Sequence, residues 1–173
     1  MPQNTQILLI DDEKESCLAL STLLRKVGYA VASAHSGEAA LELLKVQNFD
    51  LIISDLFLPG ISGIDILKKV KELSPRTCFI LITGNASAET AVEAMKEGAF
   101  DYVTKPFNFE KLKLQVAKAL EKNQLLAENQ YLRQQLHERY RFDNIIGSSL
   151  PMQKVFSRME TVAANDSPIT SLG

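Results

Sequence analysis

Tryptophan is absent from this chain, and cysteine nearly so: Cys17 and Cys78 are the only two. They lie in helix-like and strand-like segments and read as small core residues in a reducing compartment, not as a disulfide framework. No apolar run is long enough to span a bilayer. The amino terminus, MPQNTQ, lacks the basic-then-apolar pattern of a secretory leader. Net charge is only −2, so nothing global argues for nucleic acid or an anionic membrane as partner. A cytoplasmic protein is expected. Hydrophobic residues make up 46% of its 173 residues, enough for the core of one domain with a tail, or of two small domains.

Short apolar runs alternate with helical patterns. Strands are expected at residues 6–10, 29–34, 50–54, 77–82 and 100–103, since short apolar runs closed by turn residues read as buried parallel strands. Between them helices are expected at 14–27, stopped by Gly28, at 36–46 with Ser36 as N-cap, at 64–73, and at 86–97, closed by Gly98. Strict alternation of this kind gives an α/β fold, a doubly wound five-stranded parallel sheet of about 120 residues.

Glycine and proline are both missing from Phe107 to Asn144, so the fifth helix, which starts near Phe109, meets no stop signal there. Leu112, Val116 and Ala119 fit a sheet-facing stripe. Beyond them Leu125, Asn129, Leu132 and Leu136 repeat at spacings of four, three and four, an a/d seam of two heptads. A parallel two-stranded coiled coil is expected, with Asn129 fixing register; a solvated single helix is the bland alternative. Domain boundaries are therefore set at 1–121, a helical linker at 122–141, and a final segment at 142–173. In that segment 142–148 read as a loop and 150–164 as an amphipathic helix.

The chemistry gathers at the carboxyl ends of the strands, where open parallel sheets bind ligands. Asp11 and Asp12 close the first strand and Asp55 the third; Thr83 and Lys105 follow the fourth and fifth. Three carboxylates at one edge repel each other unless a hard cation sits among them, and oxygen ligands with retained waters suit Mg²⁺. Asp11 and Asp12 can hold the metal, and Asp55 can be ligand and nucleophile. Lys105 can pair with phosphoryl oxygens and Thr83 can donate a hydrogen bond to them, the positioning and charge neutralisation that phosphoryl transfer needs. Taken singly, an aspartate at a strand end is usually a turn residue and a lysine before proline is usually solvated. Four strand ends carrying the right groups in order is not an accident of composition. His35 and His137 are isolated and read as surface residues.

Leu9-Ile10-Asp11-Asp12-Glu13, Asp55-Leu56-Phe57-Leu58-Pro59-Gly60, Ile82-Thr83-Gly84 and Lys105-Pro106-Phe107 resemble the motifs of two-component response-regulator receiver domains over roughly residues 5–121. The resemblance implies a flavodoxin-like, CheY-like receiver fold with a long carboxy-terminal helical extension. It also implies that Asp55 is the phosphoacceptor, that Asp11, Asp12 and the backbone carbonyl of Phe57 join it around Mg²⁺, and that Thr83 and Tyr102 are the switch pair beside Lys105. The donor would be a cognate histidine kinase. The protein would be a switch rather than an enzyme, with at most self-phosphorylation and autodephosphorylation. Leu58 departs from the Met found in many members, an apolar swap of similar volume.

Phe142-Asp143-Asn144-Ile145-Ile146-Gly147-Ser148 and Met152-Gln153-Lys154-Val155-Phe156 resemble the entry to the AAA+ domain of NtrC-type, sigma-54-dependent activators. No G-x-x-x-x-G-K-[ST] loop and no helix-turn-helix follow before Gly173. ATP hydrolysis and direct nucleic-acid binding are thus not expected of this chain; DNA and sigma-54 RNA polymerase would be reached only through domains absent from it. The sequence reads either as part of a homodimeric transcription regulator or as a stand-alone phosphate carrier or sink. An aspartate-nucleophile phosphatase of the haloacid dehalogenase type is disfavoured, because Asp55-Leu56-Phe57 lacks that family's second acid.

Overall fold

The computed structural model describes residues 5–147. Five strands alternate with five helices: β1 (Gln6–Ile10), α1 (Lys14–Val27), β2 (Ala30–Ala34), α2 (Gly37–Val46), β3 (Leu51–Asp55), α3 (Gly63–Leu73), β4 (Cys78–Thr83), α4 (Ala88–Lys96), β5 (Asp101–Thr104) and α5 (Phe109–Gly147). All strand pairs are parallel and the order is β2-β1-β3-β4-β5. The chain winds outward from β1 in both directions, so the β1/β3 crevice is the switch point of the doubly wound sheet.

Each strand supplies both faces of the sheet. In β1, Leu8 and Ile10 pack under α2, α3 and α4 together with Ile52, Ile66, Leu67, Phe79 and Leu81. Ile7 and Leu9 point the other way, to Cys17, Leu20 and Leu24 of α1 and Leu112, Val116 and Ala119 of α5. Burial on both faces explains why these strands read as continuous apolar runs. Serine hydroxyls cap three of the helix starts: Ser36 Oγ accepts from Ala39 N at 3.1 Å, Ser62 Oγ from Asp65 N at 3.2 Å and Ser87 Oγ from Thr90 N at 3.1 Å. Gly28, at φ 107°, closes α1 in the left-handed conformation that glycine adopts without strain.

Two boundaries differ from the sequence reading in a way that bears on the site. β3 and β4 run one residue further than expected, because Asp55 still pairs with Ile82 and Thr83 with Thr104. Both residues are therefore held by the ladder rather than by a loop. The expected loop beginning at 142 is also corrected: α5 continues through Gly147, the last described residue, with no glycine or proline between Phe107 and Gly147 to interrupt it. The expected helix at 150–164 lies outside the described residues. The chain divides into two units, Met1–Leu125 and Leu126–Gly173. Among the described residues no helix is long and apolar enough to cross a membrane.

Candidate functional site

The carboxyl edge of the sheet brings Asp11, Asp55 and Lys105 into contact. Lys105 Nζ lies 2.6 Å from Asp55 Oδ2 and 3.0 Å from Asp11 Oδ2, so one ammonium bridges two carboxylates. The second oxygen of each acid is held by backbone: Asp55 Oδ1 accepts from Phe57 N at 2.9 Å, and Asp11 Oδ1 from Glu13 N at 2.9 Å. These short-range bonds turn the chain out of the strand and fix the carboxylate, the local reason aspartate suits a strand end. Lys105 is itself placed by the backbone, its N–H donating to Thr83 O at 2.7 Å.

Burial pulls the Lys105 ammonium down, but hydrogen bonds and charge from Asp55 and Asp11 outweigh it and hold its pKa above the ordinary lysine value. The cation is thus a permanent charge in the pocket. A cavity of about 320 Å³ opens beside it, with Leu9, Leu20, Ile53, Ile82 and Phe107 on its apolar wall and Asp11, Asp55 and Lys105 among its polar lining.

The remaining expected residues sit around this core. Asp12 is exposed next to Asp11, and the Phe57 side chain is exposed while its amide holds Asp55. Thr83 is fully buried, its hydroxyl bonded within the β4–α4 loop: it accepts from Asn85 N at 3.2 Å. Tyr102 is half-buried on β5, with its hydroxyl 2.9 Å from Thr90 Oγ1 of α4. His35 is exposed, as expected, yet it is not isolated: its Nδ1 lies 3.0 Å from Asp11 O and donates to it as the Nδ1–H tautomer. His137 is exposed on α5.

Sequence reasoning missed Gly63. A Cβ built there would stand 2.3 Å from Asp55 O, 2.8 Å from a Leu81 methyl and 3.0 Å from Leu56 Cα. Only glycine lets the start of α3 close on the backbone that carries Asp55. A Ser-Gly pair marks a turn by composition, but no feature of the sequence marks this one as a close approach.

The donor set suits a hard cation. Among the described residues no three His, Cys, Asp or Glu side chains are gathered as a ready-made metal cage. Mg²⁺ does not require one, because it binds through one or two carboxylates and keeps its waters. Asp11 and Asp55 already share one cation, the Lys105 ammonium, so their oxygens converge on a positive charge.

Residues 7–117 match the response regulator receiver domain model. The chain belongs to the response regulator receiver family. The receiver is 44% identical over 117 residues to the transcriptional regulatory protein ZraR of Escherichia coli K12, covering 68% of this chain and 26% of that protein. Likeness continues past the receiver in the regulatory protein AtoC of Escherichia coli K12, 33% identical over 97% of this chain and 36% of that one. The same holds for the alginate biosynthesis regulator AlgB of Pseudomonas aeruginosa, 36% identical over 97% of this chain and 37% of that protein. The chain therefore spans little more than a third, at most, of these relatives' lengths. Among solved structures, a receiver domain protein from Clostridium thermocellum superposes with a TM-score of 0.67 at 34% identity, covering 70% of this chain and 98% of that one. The receiver is also similar to the BeF3-activated DrrB receiver domain, at a TM-score of 0.63, 35% identity and coverage of 68% and 97%.

Proposed function

We propose that this receiver accepts a phosphoryl group on Asp55 from a histidine kinase and uses it to control the pairing of its carboxy-terminal helix. The observation that carries the proposal is the Lys105 bridge, which holds Asp55 Oδ2 at 2.6 Å on the open edge of the sheet. Mg²⁺, held by Asp11, Asp12, Asp55 and the Phe57 carbonyl, would supply charge neutralisation to the phosphoryl oxygens. Asp55 attacks phosphorus in line, forming a P–O bond as the P–N bond to the kinase imidazole breaks. Lys105 then exchanges its contact with Asp55 for one with a phosphoryl oxygen, since the new group brings close to two negative charges. Thr83 gives up Asn85 and donates its hydroxyl hydrogen to the same group. The space it leaves draws Tyr102 inward and away from Thr90, which repacks the face of α4, β5 and α5.

The output rests on α5. Leu125, Leu132 and Leu136 are all at least half exposed in the single chain, an apolar stripe at heptad spacing on an otherwise polar helix. A second copy is the occupant that fits, which makes the protein a homodimer through this helix. In a longer regulator of the NtrC type, that pairing would control sigma-54-dependent transcription. Free-standing phosphate storage would leave those leucines without a purpose.

The test is Mg²⁺-dependent labelling by a small phosphodonor, with sedimentation before and after. Acid-labile, base-labile label that needs Mg²⁺ and changes the sedimentation coefficient supports the proposal. Label independent of Mg²⁺, or none, contradicts it.

A further inference from the structure

The apolar attachment of α5 to the sheet ends early. Leu112, Val116 and Ala119 are fully buried, Leu120 is partly so, and Leu125 is 59% exposed. Two residues short of Leu125, Asn123 makes a different kind of attachment. Its Nδ2 donates to Asp50 O, immediately before β3, at 2.8 Å, and its Oδ1 accepts from Cys78 Sγ, at the start of β4, at 3.1 Å. The same thiol lies 3.2 Å from Ala119 O. The Asp50 carbonyl also accepts from Cys78 N at 3.1 Å, so both strands and the helix meet at one oxygen. Beside it, Lys122 Nζ sits 5.6 Å from the centroid of the Phe100 ring, which precedes β5.

Asparagine is a poor helix-interior residue on propensity alone. Here both ends of its amide are satisfied in tertiary bonds, on the edge of the sheet opposite the carboxylates. It is the last fastening before the first unit ends at Leu125.

We propose that Asn123 is a positioning residue for signal output: a clasp that ties the last receiver turn of α5 to β3 and β4, so that movement of the sheet reaches the helix that carries the leucine stripe. The clasp rests on the reading of α5 as the output element. Without it the helix beyond Leu120 keeps only the contact of Lys122 with the Phe100 ring, and a change at Asp55 has little that is rigid to push against. Cys78 contributes as a buried thiol donor, and burial pushes its pKa up, which keeps it in the donating form.

The test uses the full chain as wild type, Asn123→Leu and Cys78→Ala. Amide exchange across residues 120–126 reads the clasp without any phosphoryl group, and sedimentation with a small phosphodonor and Mg²⁺ reads transmission. Asn123→Leu should exchange about tenfold faster in that turn, as expected for losing two net hydrogen bonds. It should take label at the wild-type rate, yet show no change in sedimentation on labelling. Cys78→Ala should give a smaller increase in the same amides, and its effect should shrink in the Asn123→Leu background, because both changes remove the same contact. Unchanged exchange in Asn123→Leu overturns the clasp; faster exchange with the sedimentation response intact overturns its role in transmission. A wild-type chain that takes no label, or takes it without a sedimentation change, fails the proposed function instead, and exchange still decides the clasp.

Discussion

The hydroxyls of Tyr102 and Thr90 lie 2.9 Å apart, and Thr90, the third residue of α4, is at the same time the partner of Ser87 in the α4 capping box. Thr90 Oγ1 accepts from Ser87 N at 3.3 Å while its own amide donates to Ser87 Oγ. The proposed switch tyrosine is therefore bonded to the group that starts α4. Drawing Tyr102 inward costs α4 a partner at its first turn, which gives the switch a physical link from β5 to the helix.

A double-mutant cycle tests that link. Thr90→Val should cost about 1 kcal/mol of unfolding free energy through the lost cap and hydroxyl contact. Tyr102→Phe should cost less, and the two should be non-additive by roughly 0.5 kcal/mol or more. Strict additivity in chemical denaturation would show that the hydroxyls are neighbours without coupling.

Removing Lys105 should change how the receiver responds to Mg²⁺. In Lys105→Ala the carboxylates of Asp11 and Asp55 lose their shared cation, so stability at neutral pH should fall and rise steeply again on adding MgCl2. Asp12→Ala should behave oppositely, folding as well as wild type or slightly better without metal and gaining little from it. Alkali gives a further check. Because the Lys105 pKa is raised in the fold, its contribution is complete below the ordinary lysine value of about 10.4 and is lost as pH rises through the higher folded value. Thermal melts of wild type should therefore drop in that alkaline window by more than melts of Lys105→Ala.

Gly63→Ala puts a methyl group 2.3 Å from the Asp55 carbonyl oxygen, and backbone cannot step aside as a flexible side chain does. A cost of about 3 kcal/mol is expected, lowering the melting temperature by roughly 10 °C, with slower labelling of whatever folds. A variant that melts like wild type would mean that α3 can shift away from β3 freely.

The helix beyond the receiver is tested by Leu132→Asp, which sets like charges face to face in the proposed apolar seam. The variant should sediment as a monomer while its receiver still takes label. Retention of the wild-type dimer would place dimer contacts on the receiver and leave α5 as a tether. Asn129→Leu should tighten association and permit higher oligomers.

The fold was legible because burial on both faces of a parallel sheet writes itself as apolar runs, and because glycine and serine punctuate the helices. Asp11, Asp55, Thr83 and Lys105 were legible as strand-end residues, since strand order alone carries them to one edge. Contacts made across the fold left no such trace. Nothing in the sequence ties Asn123 to Cys78, Thr90 to Tyr102 or His35 to the Asp11 carbonyl, because each pair meets only once the sheet has formed. Gly63 carried a loop signal whose real cause is the nearness of the Asp55 backbone. The loop expected from residue 142 is instead helical through Gly147, because neither glycine nor proline interrupts α5 before that residue.

The most direct test of the account is intact mass spectrometry of the chain after incubation with a small phosphodonor and Mg²⁺, alongside Asp55→Asn. The wild-type chain should gain one phosphoryl group, lost in mild base, and Asp55→Asn should gain none, because an amide cannot form the acyl phosphate. Stoichiometric, Mg²⁺-dependent addition to Asp55→Asn would contradict the assignment of Asp55 and with it the role given to the Lys105 bridge.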